Sequence, residues 1–159
     1  MAEIGPMSDI DRNEIERRLH YVFVDNYLLI RALTRKSYAM EKRQRGEDCN
    51  DQEVFRTLGD AVLKTVLVDM LVHSGFRTRE EITNKKAELE RQETLAQIGS
   101  AIDIAEFIRM GEGEKKQKAE QQPKVIAETL EALIAAIYLD DGFSRAKIAI
   151  TDWYKEHIL

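Results

Sequence analysis

The sequence predicts one all-α domain. Three observations support this prediction: the chain has 159 residues, it is 43% hydrophobic with only two prolines and eight glycines, and its apolar residues recur at helical spacing. This length is typical of a single domain, and the apolar content is enough for a core, which excludes wholesale disorder. Strand-like alternation of apolar and polar residues is nowhere sustained. We therefore expect a bundle of seven to nine helices.

Charge and composition exclude several classes of protein. The formal net charge is −5, so a globally basic nucleic-acid binder is disfavoured, although a local basic patch or a metal ion can still recruit a polyanion. The single cysteine, Cys49, cannot form an internal disulfide, and no Cys/His cluster indicates a structural zinc site. No apolar run approaches the ~20 residues that span a bilayer, and the first residues lack a secretory signal pattern. We expect no membrane partner and a cytoplasmic location.

The first half of the chain is expected to hold three helices. Residues 1–9 are interpreted as a tail or a cloning scar, and residues 10–159 as the domain. An amphipathic helix is predicted over 10–23, and Asp25 can cap the helix that follows it. After a polar loop, a long helix with a buried apolar stripe is predicted over 52–73.

The second half of the chain is expected to contain the most buried helix. A helix with a charged, solvent-exposed face is predicted over 78–98, followed by a polar segment over 111–122. Residues 125–139 are too apolar for a surface helix, so this helix is placed near the centre of the domain. Gly142 is expected to close it, and Ser144 to open a last helix.

Acidic residues on the two most apolar helices are the informative anomaly. Glu128 and Glu131 are three residues apart, so they share one face of a helix. On the other long helix, Glu53, Arg56 and Asp60 also fall on one stripe. A carboxylate near a core is costly unless it is paired or bound to a metal. If the two helices cross, Asp60, Glu128 and Glu131 converge into a group of oxygen ligands of the kind that Mg²⁺ prefers.

Two simpler interpretations remain open from spacing alone. Glu128 and Glu131 can face solvent on a helix that is merely amphipathic. Glu53, Arg56 and Asp60 can form an ordinary surface ladder of ion pairs, each worth roughly 0.2–0.5 kcal/mol. By pattern alone, the ladder is the more common arrangement.

Three segments resemble the ribonuclease III family. The segment TLGDAVL (57–63) resembles the signature helix of that family, AETLEALIAAIYLDDG (127–142) its second acidic helix, and ALTRKSY (32–38) an upstream segment. The three occur in the family's order, and the resemblance covers about 15–159. It implies an all-helical, homodimeric nuclease domain that cleaves double-stranded RNA with Mg²⁺, or Mn²⁺, and no small-molecule cofactor. No segment of the chain resembles the double-stranded-RNA-binding domain that commonly follows.

The resemblance also implies roles for individual residues. Asp60 and Glu131 match acidic metal ligands of the family and are the expected catalytic residues. Glu128 stands where the family usually has Asp, and it is expected to be the third ligand. Glu53 matches the outer glutamate of the signature helix. Arg56 departs from the family, which has a metal-binding glutamate at this position, and a guanidinium cannot bind Mg²⁺.

The departure at Arg56 leaves two hypotheses about function. In the first, Arg56 pairs with Glu53 and leans away, and the protein is a Mg²⁺-dependent endoribonuclease acting on double-stranded or structured RNA. In the second, the protein is a catalytically impaired RNA-binding or scaffolding module in which Arg56 replaces the metal with a fixed positive charge. Pairing of Arg56 with Asp60 or Glu131 would favour the second hypothesis.

An acidic protein can bind RNA only through local clusters of positive charge. The alternative for each cluster is an ordinary solvated surface. Recognition would be by the shape of the duplex and not by its sequence. The residues predicted to contact RNA are Arg35, Lys36, Lys115 and Lys116.

Overall fold

The described residues, 7–158, form eight α-helices in the computed structural model. The helices are α1 (Asp9–Leu19), α2 (Asn26–Ala32), α3 (Lys36–Gln44), α4 (Glu53–His73), α5 (Arg79–Leu89), α6 (Gln92–Ile102), α7 (Glu112–Lys116) and α8 (Pro123–Ile158). No β-strand occurs within 7–158, which confirms the all-α class. No helix in this part of the chain is long and apolar enough to cross a membrane. Residues 1–6 of the tail predicted over 1–9 lie outside the described residues. Helix α1 begins at Asp9, the last residue of that predicted tail.

Helices α4 and α8 cross at the centre of the domain. The crossing is so close at Gly59 that a Cβ atom there would lie 1.7 Å from the carbonyl oxygen of Glu131 and 3.3 Å from the amide nitrogen of Ala135. Only a residue without a side chain fits between the two backbones. The buried apolar residues of the two helices include Leu63, Val66 and Leu67 of α4 and Leu130, Leu133 and Ile134 of α8. The crossing brings the acidic residues of the two helices to one place.

Helix α8 carries the most buried segment of the chain, as its apolar content predicted. Every residue over 125–130 and 132–137 is buried. At Gly142 the backbone leaves the helical region (φ 87°, ψ 177°), and a second helical part follows. This positive φ is accessible to glycine at little cost. The predicted break at Gly142 is therefore confirmed.

The first helix is shorter than predicted. It ends at Leu19 because His20 adopts a left-handed conformation (φ 58°), and the chain then runs extended. A carboxylate oxygen of the buried Glu16 accepts a hydrogen bond from the amide of Phe23 at 2.7 Å. Tyr21 and Phe23 are buried from this extended segment, so their apolar character reflects packing and not a continued helix.

Two further differences concern helices with thin apolar patterns. Helix α3 was not predicted, because only Ala39 of its nine residues is buried. The prediction of one helix over 78–98 is wrong, since α5 ends at Leu89 and α6 begins at Gln92. Between them, Arg91 is extended (φ −63°, ψ 149°). Only Leu89 of α5 is buried, so the apolar pattern is too sparse to reveal the break.

Candidate active site

A pair of carboxyl groups lies beside the α4–α8 crossing. The side chains of Asp60 and Glu131 lie close enough for a hydrogen bond that acts on the pKa values of both. Burial, then the hydrogen bond to Asp60 and its charge, raise the pKa of Glu131 to about 8. Burial acts in the same direction on Asp60, but hydrogen bonds from Lys64 and Glu131 outweigh it and lower the pKa of Asp60. Of the two carboxyl groups, Glu131 is therefore the one whose protonated form is favoured.

Lys64 forms an ion pair with the Asp60 carboxylate. Its Nζ lies 2.7 Å from Oδ2 of Asp60, one helical turn away on α4. Both side chains are 42% exposed, so the pair opens directly to solvent. Sequence reasoning missed Lys64, although its i,i+4 spacing from Asp60 was visible in the chain.

Glu128 lies between two arginines. Its side chain is 10% exposed, Oε1 accepts a hydrogen bond from Nη1 of Arg35 at 2.8 Å, and Oε2 lies 2.5 Å from Nη2 of Arg56. Arg56 also reaches Glu53, with Nη1 2.7 Å from Oε2. The expected pairing of Arg56 with Glu53 is thus found, and an unexpected one with Glu128 accompanies it. Arg56 pairs with neither Asp60 nor Glu131, although its charge acts to lower the pKa of Glu131.

Arg35 belongs to a buried polar network. Its side chain is 14% exposed, and its guanidinium binds Glu114 of α7 at 2.9 Å as well as Glu128. A third bond reaches Oε1 of the fully buried Gln52 at 3.0 Å. The hydroxyl of Ser37 also donates to Glu114. Arg35, predicted to contact RNA, is therefore committed to ion pairs inside the protein. The sequence contains no signal for this network, because Glu114 lies in a segment that reads as a solvated surface.

In the described part of the chain, only two of the three predicted carboxylate ligands are without an arginine partner. Within residues 7–158, no group of three or more His, Cys, Asp or Glu side chains is arranged to hold a metal ion. Both oxygens of Glu128 face guanidinium groups, which leaves Asp60 and Glu131. Mg²⁺ is commonly held by one or two carboxylates, with waters and substrate phosphates completing its shell. The structure thus brings together Asp60 and Glu131, two of the three predicted ligands, and pairs the third, Glu128, with Arg35 and Arg56.

The remaining predicted RNA contacts lie on α3 and α7. Lys36, Lys115 and Lys116 are exposed. Lys115 is 3.4 Å from the carboxylate of Glu112 in an exposed ion pair, which constrains it little. Because the Arg35–Glu114 ion pair joins the start of α3 to α7, the three lysines lie on neighbouring elements.

Known proteins share both the sequence and the fold of this chain. The family described as Ribonuclease-III-like matches residues 25–158. Ribonuclease 3 of Pseudomonas paraeruginosa is 35% identical over 142 residues, covering 89% of this chain and 58% of that protein. Ribonuclease 3 of Pseudomonas fluorescens is 36% identical over 145 residues, covering 91% and 59%. This chain thus spans a little under three fifths of the length of these relatives.

Solved structures with the same fold are nuclease domains. The nuclease domain of ribonuclease III from Campylobacter jejuni superposes with a TM-score of 0.82 and 30% identity, covering 95% of this chain and 97% of that one. A second structure of that domain, described as flexible in a region involved in dimer formation, gives a TM-score of 0.81 and 30% identity, covering 90% and 95%. Fold and sequence thus group this chain with helical nuclease domains. The chain belongs to the ribonuclease-III-like family.

Proposed function

We propose that this chain is an endoribonuclease that hydrolyses phosphodiester bonds in double-stranded or structured RNA with a divalent cation, Mg²⁺ or Mn²⁺. The Asp60–Glu131 pair carries this proposal, because it presents two adjoining oxygen donors at a solvent-exposed edge of a ribonuclease-III-like domain. The substrate, structured RNA, would be met in the cytoplasm. No small-molecule cofactor is proposed.

The residues of the site take different parts in the proposed reaction. Asp60 and Glu131 would hold the cation through their carboxylate oxygens. When bound, a divalent cation activates water for attack on the phosphodiester and stabilises the departing oxygen. Glu128 could bind a cation only after a guanidinium leaves it, so we assign it to holding Arg35 and Arg56 in place.

The contacts of Arg56 support catalysis over the scaffolding alternative. Its guanidinium is held between Glu53 and Glu128, at 2.7 Å and 2.5 Å, and not by the Asp60–Glu131 pair. A fixed positive charge that replaced the metal would instead have to pair with Asp60 or Glu131. Glu53 therefore acts as an anchor that keeps Arg56 in its position.

Cleavage of duplex RNA tests this proposal. Wild-type protein is expected to cut with Mg²⁺ or Mn²⁺ and to stop with a chelator. We expect Asp60→Asn to lower the rate by about 10²-fold or more, because the amide removes a charged ligand from the proposed cation site. A gel-based time course at fixed enzyme concentration measures both effects. Wild-type protein that is inert while Arg56→Glu cuts would establish the scaffolding alternative instead.

The exposed lysines are proposed to hold the RNA. Lys36, Lys115 and Lys116 can contact phosphates of a duplex that also reaches the acidic pair, since Arg35 links α3 and α7 to Glu128 near the crossing. Contacts to phosphates position the substrate without reading its sequence. Arg35, which is buried in ion pairs, is left out of this set.

We further propose that the protein forms a homodimer through α4. The outer face of α4 carries a stripe of apolar and small residues spaced alternately by four and three positions. A stripe with this spacing packs readily against another helix. The C. jejuni nuclease domain, which is similar to this chain, is described as having a dimer-forming region. The residues of the stripe are Val54, Leu58, Ala61, Thr65, Val68 and Val72, of which Val54 is 66% and Val72 53% exposed.

Sedimentation at micromolar concentration tests the dimer. Thr65 is exposed and lies near the middle of the stripe, so a two-fold axis there would bring two copies close together. We expect Thr65→Glu to convert the dimer to a monomer without unfolding it, because like charges would face each other. The matched control is Val22→Glu, at a 74% exposed position outside α4, which should leave the dimer intact. A wild-type protein that sediments as a monomer would contradict the proposal.

A further inference from the structure

The ammonium group of Lys64 lies where the acidic side chains of the site would draw a cation. Its Nζ is 2.7 Å from Oδ2 of Asp60. The hydrogen bond to Asp60, and the charges of Asp60, Glu90 and Glu131, raise the pKa of Lys64. Asp60 is thus the carboxylate that Lys64 contacts, and Glu90 and Glu131 act on it through their charge.

A second lysine nearby has a different partner. Lys86 of α5 pairs with Glu90, at 3.2 Å, and it acts on Asp60 only through its charge. Lys64 and Lys86 both line an open groove between α4 and α5, together with Val68 and Val72. The groove gives the half-exposed side chain of Lys64 room to turn away from Asp60.

We infer that Lys64 competes with the divalent cation for Asp60, so that the cation binds only when the ammonium group leaves that carboxylate. The inference rests on the proposed metal-dependent function, and it assigns to Lys64 the control of cation binding. A lone pair of Oδ2 that accepts a hydrogen bond from Lys64 is not available to a metal ion. In addition, an ammonium group within a few ångströms of a divalent ion repels it strongly where solvent screening is incomplete.

The expected consequence is a site that binds free cations weakly. The negative charge of Asp60 is already compensated by the ammonium group, which lies 2.7 Å from Oδ2. A cation must displace the ammonium group before it contacts Oδ2 of Asp60. Once displaced, the Lys64 ammonium remains at the open edge of the site, within reach of a phosphate group.

Titration with Mn²⁺ in the absence of RNA tests this inference. Electron paramagnetic resonance of the free ion measures the dissociation constant for the wild type and for Lys64→Met, Lys64→Arg and Lys86→Met. We expect Lys64→Met to bind Mn²⁺ about tenfold or more tightly than the wild type, because one competing charge is removed. Lys64→Arg keeps the charge and should remain as weak as the wild type. Lys86→Met, which removes a neighbouring charge without freeing Asp60, should gain less than about threefold.

The outcomes separate this inference from the proposed function. Equal affinities of the wild type and Lys64→Met would overturn the role of Lys64 and leave the metal site standing. Equal gains in Lys64→Met and Lys86→Met would overturn it too, since they would reflect only the total charge. If neither the wild type nor any variant binds Mn²⁺, both the role of Lys64 and the proposed metal site are contradicted. Loss of the gain in Lys64→Met when Asp60→Asn is added would confirm that the ion binds at Asp60.

Discussion

Gly59→Ala is expected to destabilise the protein by more than about 3 kcal/mol, or to prevent folding. The new methyl group would lie 1.7 Å from the carbonyl oxygen of Glu131 and 2.6 Å from its carbonyl carbon. These are backbone atoms of a buried helix, so no side chain can rotate away to relieve the overlap. Helices α4 and α8 must separate instead, and the buried residues on both would lose their contacts.

Thermal unfolding followed by circular dichroism measures this effect. For a domain of this size the loss corresponds to a fall in Tm of roughly 10 °C or more. The matched control is Gly113→Ala on α7, where a Cβ meets no atom within 4 Å and should change Tm little. A Gly59→Ala variant with a Tm within about 2 °C of the wild type would contradict the close crossing. Where the Gly59→Ala variant still folds, the side chain of Glu131 should move away from Asp60. The new methyl group overlaps the backbone carbonyl of Glu131, so this residue must shift.

Arg35→Met is expected to cost about 3 kcal/mol or more of folding stability. The substitution preserves much of the apolar volume but removes the guanidinium that binds Glu114, Glu128 and Gln52. Glu128 would keep only Arg56, and the buried amide oxygen of Gln52 would lose its donor. An uncompensated buried carboxylate and an unpaired amide oxygen account for the loss.

Urea unfolding at several pH values tests this expectation. Although burial opposes it, hydrogen bonds from Arg35 and Ser37 lower the pKa of Glu114 in the folded protein. The ionised Glu114 therefore stabilises the folded protein above the pKa of an unfolded glutamate. This stabilisation is lost as pH falls through the lowered pKa of Glu114 in the folded protein. The difference between wild type and Arg35→Met should therefore be largest near pH 7 and shrink below about pH 4.5.

Two variants distinguish the network from a general loss of charge. Arg17→Met removes an exposed arginine, 73% accessible, that pairs with Glu14, and it should change stability by less than about 0.5 kcal/mol. Adding Glu128→Gln to Arg35→Met should restore part of the lost stability, because the carboxylate left behind is neutralised. If Arg35→Met unfolds at the same urea concentration as Arg17→Met, the network contributes little.

The helical class was predictable because its signal is local. The apolar period, the scarcity of proline and the run over 125–137 each report on a helix irrespective of its partners. The end of α1 at Leu19 and the break between α5 and α6 were not predictable in this way. Tyr21 and Phe23 continue the apolar pattern past the end of α1, and Leu89 and Leu95 are buried on the two sides of the second break.

The charged groups of the site show the same division. From sequence alone, Asp60 and Glu131 could be placed on the two inner helices, because their positions within apolar stripes are fixed by spacing. Which cation each carboxylate meets was decided only by tertiary structure. Arg35 and Glu128 are 93 residues apart, and they meet because the connections around the α4–α8 crossing bring the start of α3 against α8. Electrostatic pairing depends on distances of a few ångströms between remote segments, and periodicity along the chain contains no information on those distances.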